Sequence, residues 1–80
     1  MSILIAEDNE AQRRYVGKLL TDQFPGHMPL IEAIDGESAV RMAIDNRPEL
    51  SILDIQMPKL SGVKAARGIW REFPSARIIF

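Results

Sequence analysis

Three acidic residues stand where their chemistry can combine. Glu7 and Asp8 are adjacent and close a short apolar run, Ile3-Leu4-Ile5-Ala6. Asp54 lies near the end of another apolar run, Leu50 to Ile55. Carboxylates brought together form a strongly negative edge that needs a cation. A few carboxylates, with room left for water and phosphate oxygens, is the arrangement Mg²⁺ prefers. Such an ion bridges the protein and an incoming phosphate and offsets charge in the transfer transition state. A carboxylate can also be the nucleophile, giving an acyl phosphate. One acid alone is as readily a strand end or a helix cap. An acidic pair plus a lone Asp, flanked by Met57-Pro58 and Gly62, is harder to explain that way.

These acids need elements to position them. Ile3 to Ala6 has no alternation, as in strands buried on both faces. Asn9 is placed to cap a first helix, with Gln12 three residues on in an approximate capping box. Ala11, Tyr15, Val16, Leu19 and Leu20 recur at helical spacing, and Arg13, Arg14, Lys18 and Asp22 fall on the other face. Pro25-Gly26 closes that helix. Pro29 to Ile34 reads as a second strand. Asp35-Gly36 turns the chain, Asp35 can cap the second helix, and Ala39, Val40, Ala43 and Ile44 give its stripe before Pro48. Leu50 to Ile55 is a third strand, and 57–62 is a loop. Val63, Ala66, Trp70 and Phe73 line a third helix, and Ala76 to Phe80 reads as a fourth strand.

The pattern is βαβαβαβ, which implies an α/β fold with a parallel sheet, helices on both faces and right-handed crossovers. Ligands of such sheets bind at the carboxyl ends of the strands, where strand order reverses. If strands one and three are neighbours, Glu7, Asp8 and Asp54 meet on one edge.

At these residues a family resemblance becomes plain. Ile3-Leu4-Ile5-Ala6-Glu7-Asp8-Asn9, then Leu50-Ser51-Ile52-Leu53-Asp54-Ile55-Gln56-Met57-Pro58, then Gly62, resemble the receiver domain of bacterial two-component response regulators. The resemblance runs over residues 1–80, read as a partial receiver domain. It implies a flavodoxin-like, doubly wound sheet of strand order 2-1-3-4. By the same resemblance Asp54 is the phosphoacceptor, Glu7 and Asp8 hold Mg²⁺, Asp8 more directly, and Gln56 lends its backbone carbonyl to the metal. The Gln56 side chain would sit where the family tunes dephosphorylation, and Pro58 and Gly62 would shape the loop. Leu60 and Ser61 stand where a Met and an Asp are common. The family has further elements, a Ser or Thr beyond strand four, a Lys ending strand five and an aromatic switch residue, and Phe80 comes before all of them. The fold is therefore expected to be incomplete, with a bare strand-four edge that recruits another chain.

Composition limits the alternatives. The chain of 80 residues is 46% hydrophobic and 26% charged, with net charge −1 and no cysteine. That composition fits one soluble globular domain. The charge gives no general case for nucleic acid or anionic membrane, and the absent cysteine removes disulfide, thiol and cysteine–zinc chemistry. No membrane span or signal peptide is expected, and a cytoplasmic location fits. His27 is the only histidine and is expected in an exposed loop, without a phosphotransfer role. Trp70, Met42 and Met57 read as packing. Arg13-Arg14 read as a solvated face, or as a docking contact for a histidine kinase.

The leading function is thus a phosphoacceptor switch charged by a sensor histidine kinase, a phosphotransfer protein or a small phosphodonor. An aspartyl-nucleophile phosphatase would want a second acid just after the nucleophile, where this chain has Gln56, so no enzymatic turnover is expected. A non-phosphorylated interaction module is the remaining alternative. The stretch Arg71 to Phe80 faintly resembles regulators that control transcription through a helix-turn-helix domain.

Overall fold

The computed structural model describes residues 2–23 and 29–80. Four parallel strands, β1 (Ile3–Ala6), β2 (Leu30–Ala33), β3 (Leu50–Leu53) and β4 (Ile78–Ile79), form one sheet of order β2-β1-β3-β4. Three helices connect them: α1 (Glu10–Gln23), α2 (Gly36–Asn46) and α3 (Gly62–Glu72). This is the expected flavodoxin-like order. The Pro25-Gly26 stop and His27 lie outside the described residues.

β1 is the centre of the sheet. It pairs with β2 on one side and β3 on the other, and all four of its residues are buried. Its continuous apolar sequence follows, because each side chain meets one covered face or the other. Leu4 and Ala6 join Ala33 and Leu53 under Ala39 and Ala43 of α2 and Ala65, Ala66 and Ile69 of α3. Met42 and Met57 pack at the margin of this core, as expected. Ile5 points to the opposite face, where its side chain and that of Leu30 come near Gly17 of α1.

α2 presents its expected stripe, with Ala39 and Ala43 buried and Val40 and Ile44 half-buried, whereas α1 and α3 sit rotated and keep only Val16, Leu20, Ala66 and Phe73 of theirs turned inward. On α1 the half-buried positions are Arg13, Val16, Gly17 and Leu20, whereas Tyr15 and Leu19 are exposed. Gly17 explains the rotation, since a helix with no side chain at that point can lie close to the sheet. On α3 the buried residues are Gly62, Ala65, Ala66 and Ile69, while Val63 is exposed. Small residues again choose the face. Trp70 is 39% exposed rather than embedded, and its Nε1–H donates to the Ala76 carbonyl at 2.8 Å. β4 is shorter than expected because the Ala76 N–H turns back to the Phe73 carbonyl at 3.1 Å. Ladder pairing then begins only at Ile78.

The helix ends follow their caps. Asn9 Oδ1 accepts the Gln12 N–H at 2.9 Å, but the Asn9 N–H goes to Glu7 Oε2 and not to Gln12. Asp35 Oδ1 accepts the Ser38 N–H at 2.8 Å, and that bond, with the Ser38 hydroxyl, holds the Asp35 carboxyl below its usual range. Ser61 Oγ accepts the Lys64 N–H at 3.3 Å, so the residue that departs from the family's common Asp is an N-cap. Arg47 closes α2 in the left-handed conformation, φ 45°, directly before Pro48.

Gly36 is a contact point that its turn alone does not account for. A Cβ there would lie 2.1 Å from the Leu60 carbonyl oxygen, in the loop after β3. Its N–H also donates to the Pro58 carbonyl at 3.3 Å. We expect Gly36→Ala to lower stability by about 1–3 kcal/mol through overpacking, read as an earlier midpoint in a urea melt. An unchanged midpoint would show that the loop yields freely.

Candidate functional site

The β1–β3 register assembles the site. Ala6 pairs with Leu53, so the next residues, Glu7 and Asp54, stand side by side at the carboxyl ends of adjacent strands. Main-chain bonds continue past the ladder: the Asp54 N–H donates to the Ala6 carbonyl and the Glu7 N–H to the Ala33 carbonyl, both at 3.0 Å. One carboxylate oxygen each from Glu7, Asp8 and Asp54 lies within 4.8 Å of the others. Asp8 is exposed, and Glu7 and Asp54 are half-buried. They open onto a cleft of about 990 Å³, also lined by Gln12, Gln56 and Ser61.

A match to the response regulator receiver domain family covers residues 3–80. The chain belongs to that family.

This receiver domain is 37% identical over 79 residues to a protein-glutamate methylesterase/protein-glutamine glutaminase of Myxococcus xanthus, matching 99% of this chain and 22% of that protein. The response regulator TrrA of Thermotoga maritima, solved in complex with Mg²⁺-BeF, is 30% identical, with a TM-score of 0.89 over 100% of this chain and 68% of that one. The receiver domain of a sensor histidine kinase from Pseudomonas aeruginosa, solved with a magnesium ion in its active-site cleft, is 28% identical, with a TM-score of 0.81 over 90% of this chain and 57% of that one. The chain spans only 22% of that methylesterase, 33% of the transcriptional regulatory protein DegU of Brevibacillus brevis and 19% of a methylesterase of Haloarcula marismortui.

The loop from Ile55 to Ser61 forms the outer wall. The Gly62 N–H donates to the Ile55 carbonyl at 2.7 Å and closes it. A Cβ on Gly62 would lie 2.1 Å from the Asp54 carbonyl oxygen. Gly62 is needed for close approach and not for a left-handed backbone, since no described glycine has positive φ. Lys59 takes that conformation instead, at φ 70°, and its Nζ lies 3.8 Å from Asp35 Oδ2. This ion pair adds a second tie between the loop and the start of α2.

Three site neighbours escape a sequence reading: Arg13, Glu32 and Gly36. Arg13 is not on a solvated face; its side chain is 14% exposed and its Nε pairs with Glu32 Oε1 at 2.8 Å. Arg14 is exposed and pairs with Glu10 at 2.8 Å. The available signal was a charged residue, Glu32, inside the short apolar second strand. Among the described residues no helix is long and apolar enough to cross a membrane.

The electrostatics fit a cation. Burial pushes the Glu7 carboxyl above its ordinary range. The Asn9 N–H pulls it down, while the hydrogen bond with Asp8 and the charges of Asp54 and Asp8 push it further up. Three hard oxygen donors around an open space are a donor set suited to Mg²⁺. The raised value has a definite sign in stability. The folded chain holds this proton to a higher pH than the unfolded chain does, so stability falls as pH rises from Glu7's ordinary value through its raised one. We expect Glu7→Gln to flatten that fall in metal-free urea melts across the window. An unchanged pH profile would show that Glu7 is not strained by its neighbours.

Proposed function

We propose that this receiver domain is a phosphoacceptor switch, with Asp54 as the acceptor. The observation that carries the reading is the meeting of the Glu7, Asp8 and Asp54 carboxylates within 4.8 Å at the open carboxyl ends of β1 and β3. Asp54 has no hydrogen-bonded side-chain partner among the described residues, which leaves its oxygens free to react. In the proposed step a carboxylate oxygen of Asp54 attacks the phosphorus of the donor. The bond from phosphorus to the donor's leaving atom breaks, and an acyl phosphate remains on Asp54. The donor is a phosphohistidine on a sensor histidine kinase or phosphotransfer protein, or a small phosphodonor.

Glu7 and Asp8 would hold Mg²⁺ with Asp54 and the Gln56 carbonyl. The ion, when bound, supplies charge neutralisation for the phosphoryl oxygens. Gln56 lines the cleft but carries no acid to drive turnover, so the domain accepts a phosphoryl group without acting as an enzyme. A cytoplasmic site of action follows from the proposed donors. An output, of transcription or another kind, would read the added charge.

Incubation with acetyl phosphate and Mg²⁺, followed by trapping and mass-spectrometric mapping, should place one label on Asp54 and none in Asp54→Ala. Continuous release of phosphate would indicate a phosphatase instead, and no label a pure interaction module. We also propose that copies associate through the outer edge of β4, where Ile79 is 51% and Phe80 55% exposed. Unfolding midpoints should then rise with protein concentration. A concentration-independent, monomeric transition would remove that proposal.

A further inference from the structure

We infer that Arg13 is a positioning residue for the metal ligands, an inference that rests on the reading of the site given above. The guanidinium spans two elements. Its Nε donates to Glu32 Oε1 on β2 at 2.8 Å, and its Nη1 donates to the main-chain carbonyl of Glu7 at 2.9 Å. Those two acceptors are far apart in sequence, and only a planar head with several fixed donors bridges them in one geometry.

The contact at Glu7 is with the carbonyl and not the carboxylate. Arg13 therefore does not neutralise the ligand but orients it. The Glu7 N–H is fixed by the Ala33 carbonyl and one carboxylate oxygen by the Asn9 N–H. With its carbonyl bound to Arg13, both main-chain polar groups of Glu7 and one carboxylate oxygen are held. The peptide unit is planar, so fixing the Glu7 carbonyl also fixes the direction in which the chain enters Asp8. Asp8 is the most exposed of the three acids and has no side-chain hydrogen bond to backbone or to a cation among the described residues. Beyond its hydrogen bond with the Glu7 carboxyl, its placement depends on its backbone, and Arg13 anchors that backbone from α1. Arg13 is itself set one helical turn beyond the cap, its N–H bonded to the Asn9 carbonyl at 2.9 Å.

A simpler role would be to staple α1 to the sheet, and the test separates the two. Mg²⁺ affinity is measured by calorimetry on the 80-residue chain under conditions where each variant is folded. Arg13→Ala should weaken Mg²⁺ binding about tenfold, in the range typical for groups that orient metal ligands. Ile5→Val serves as the comparison, because it loosens packing under α1 without touching Glu7; it should bind Mg²⁺ as the wild type does. Equal affinity in Arg13→Ala and wild type, or equal losses in Arg13→Ala and Ile5→Val, would overturn the inference. Should Arg13→Ala fail to fold, Arg13→Lys keeps the charge but offers one donor head for two acceptors. It should lose affinity in the same direction, and wild-type affinity there would overturn the inference equally. A wild type that takes up no Mg²⁺ overturns the site reading and this inference with it, a result distinct from a wild type that binds and an Arg13 variant that binds as well.

Discussion

The parallel register of β1 and β3 forces like charges together. Ala6 opposite Leu53 leaves Glu7 and Asp54 adjacent, and Asp8 follows at once. Like charges within 4.8 Å repel, and although water in the open cleft screens them, the charges of Asp54 and Asp8 add to burial in pushing the Glu7 carboxyl up. Buried strands supply the opposing force: Leu4, Ile5 and Leu53 are at most 1% exposed, and the ladder cannot slip by one residue without turning each of them to the wrong face. The core holds the acids in place, and the acids leave a site whose repulsion a cation would relieve.

Around that edge, short-range contacts do the positioning. Gly62 lets α3 begin against the Asp54 carbonyl, and Gly36 lets the following loop rest on the start of α2. Lys59, paired with Asp35, holds the same loop from outside. On the other side Arg13 joins the end of β1 to β2. The site is thus built by neighbours that never enter the cleft. Most of them are bonds to backbone, which fix directions and leave the three carboxylates free.

Much of this was legible in the sequence. Apolar runs ending in Glu7-Asp8 and in Asp54, separated by helical patterns, led to a parallel sheet, and the resemblance to receiver domains supplied the strand order that puts the acids on one edge. The α2 face was legible too, but those of α1 and α3 only in part, because there the sheet side is marked by Gly17, Gly62 and Ala65 beside Ala66 and not by the largest apolar side chains. A periodicity weighted by Tyr15, Leu19 and Trp70 therefore points the wrong way. Arg13 was misplaced for a related reason: its partner Glu32 lies 19 positions away, and charge on a helix reads as solvent-facing until that partner is known. The reach of β4 depended on where the Ala76 turn closes, which is a matter of main-chain bonds and not of residue type.

The central claim is that folding and cation binding are linked at the β1–β3 edge. A ligand that binds the folded chain alone stabilises it in proportion to the logarithm of its concentration above the dissociation constant. The direct measurement is the urea midpoint of the wild-type chain across a Mg²⁺ series at constant ionic strength. The midpoint should climb steadily with the logarithm of Mg²⁺ concentration once binding saturates. A midpoint that stays flat, or that rises no more than with an equivalent monovalent salt, would contradict it.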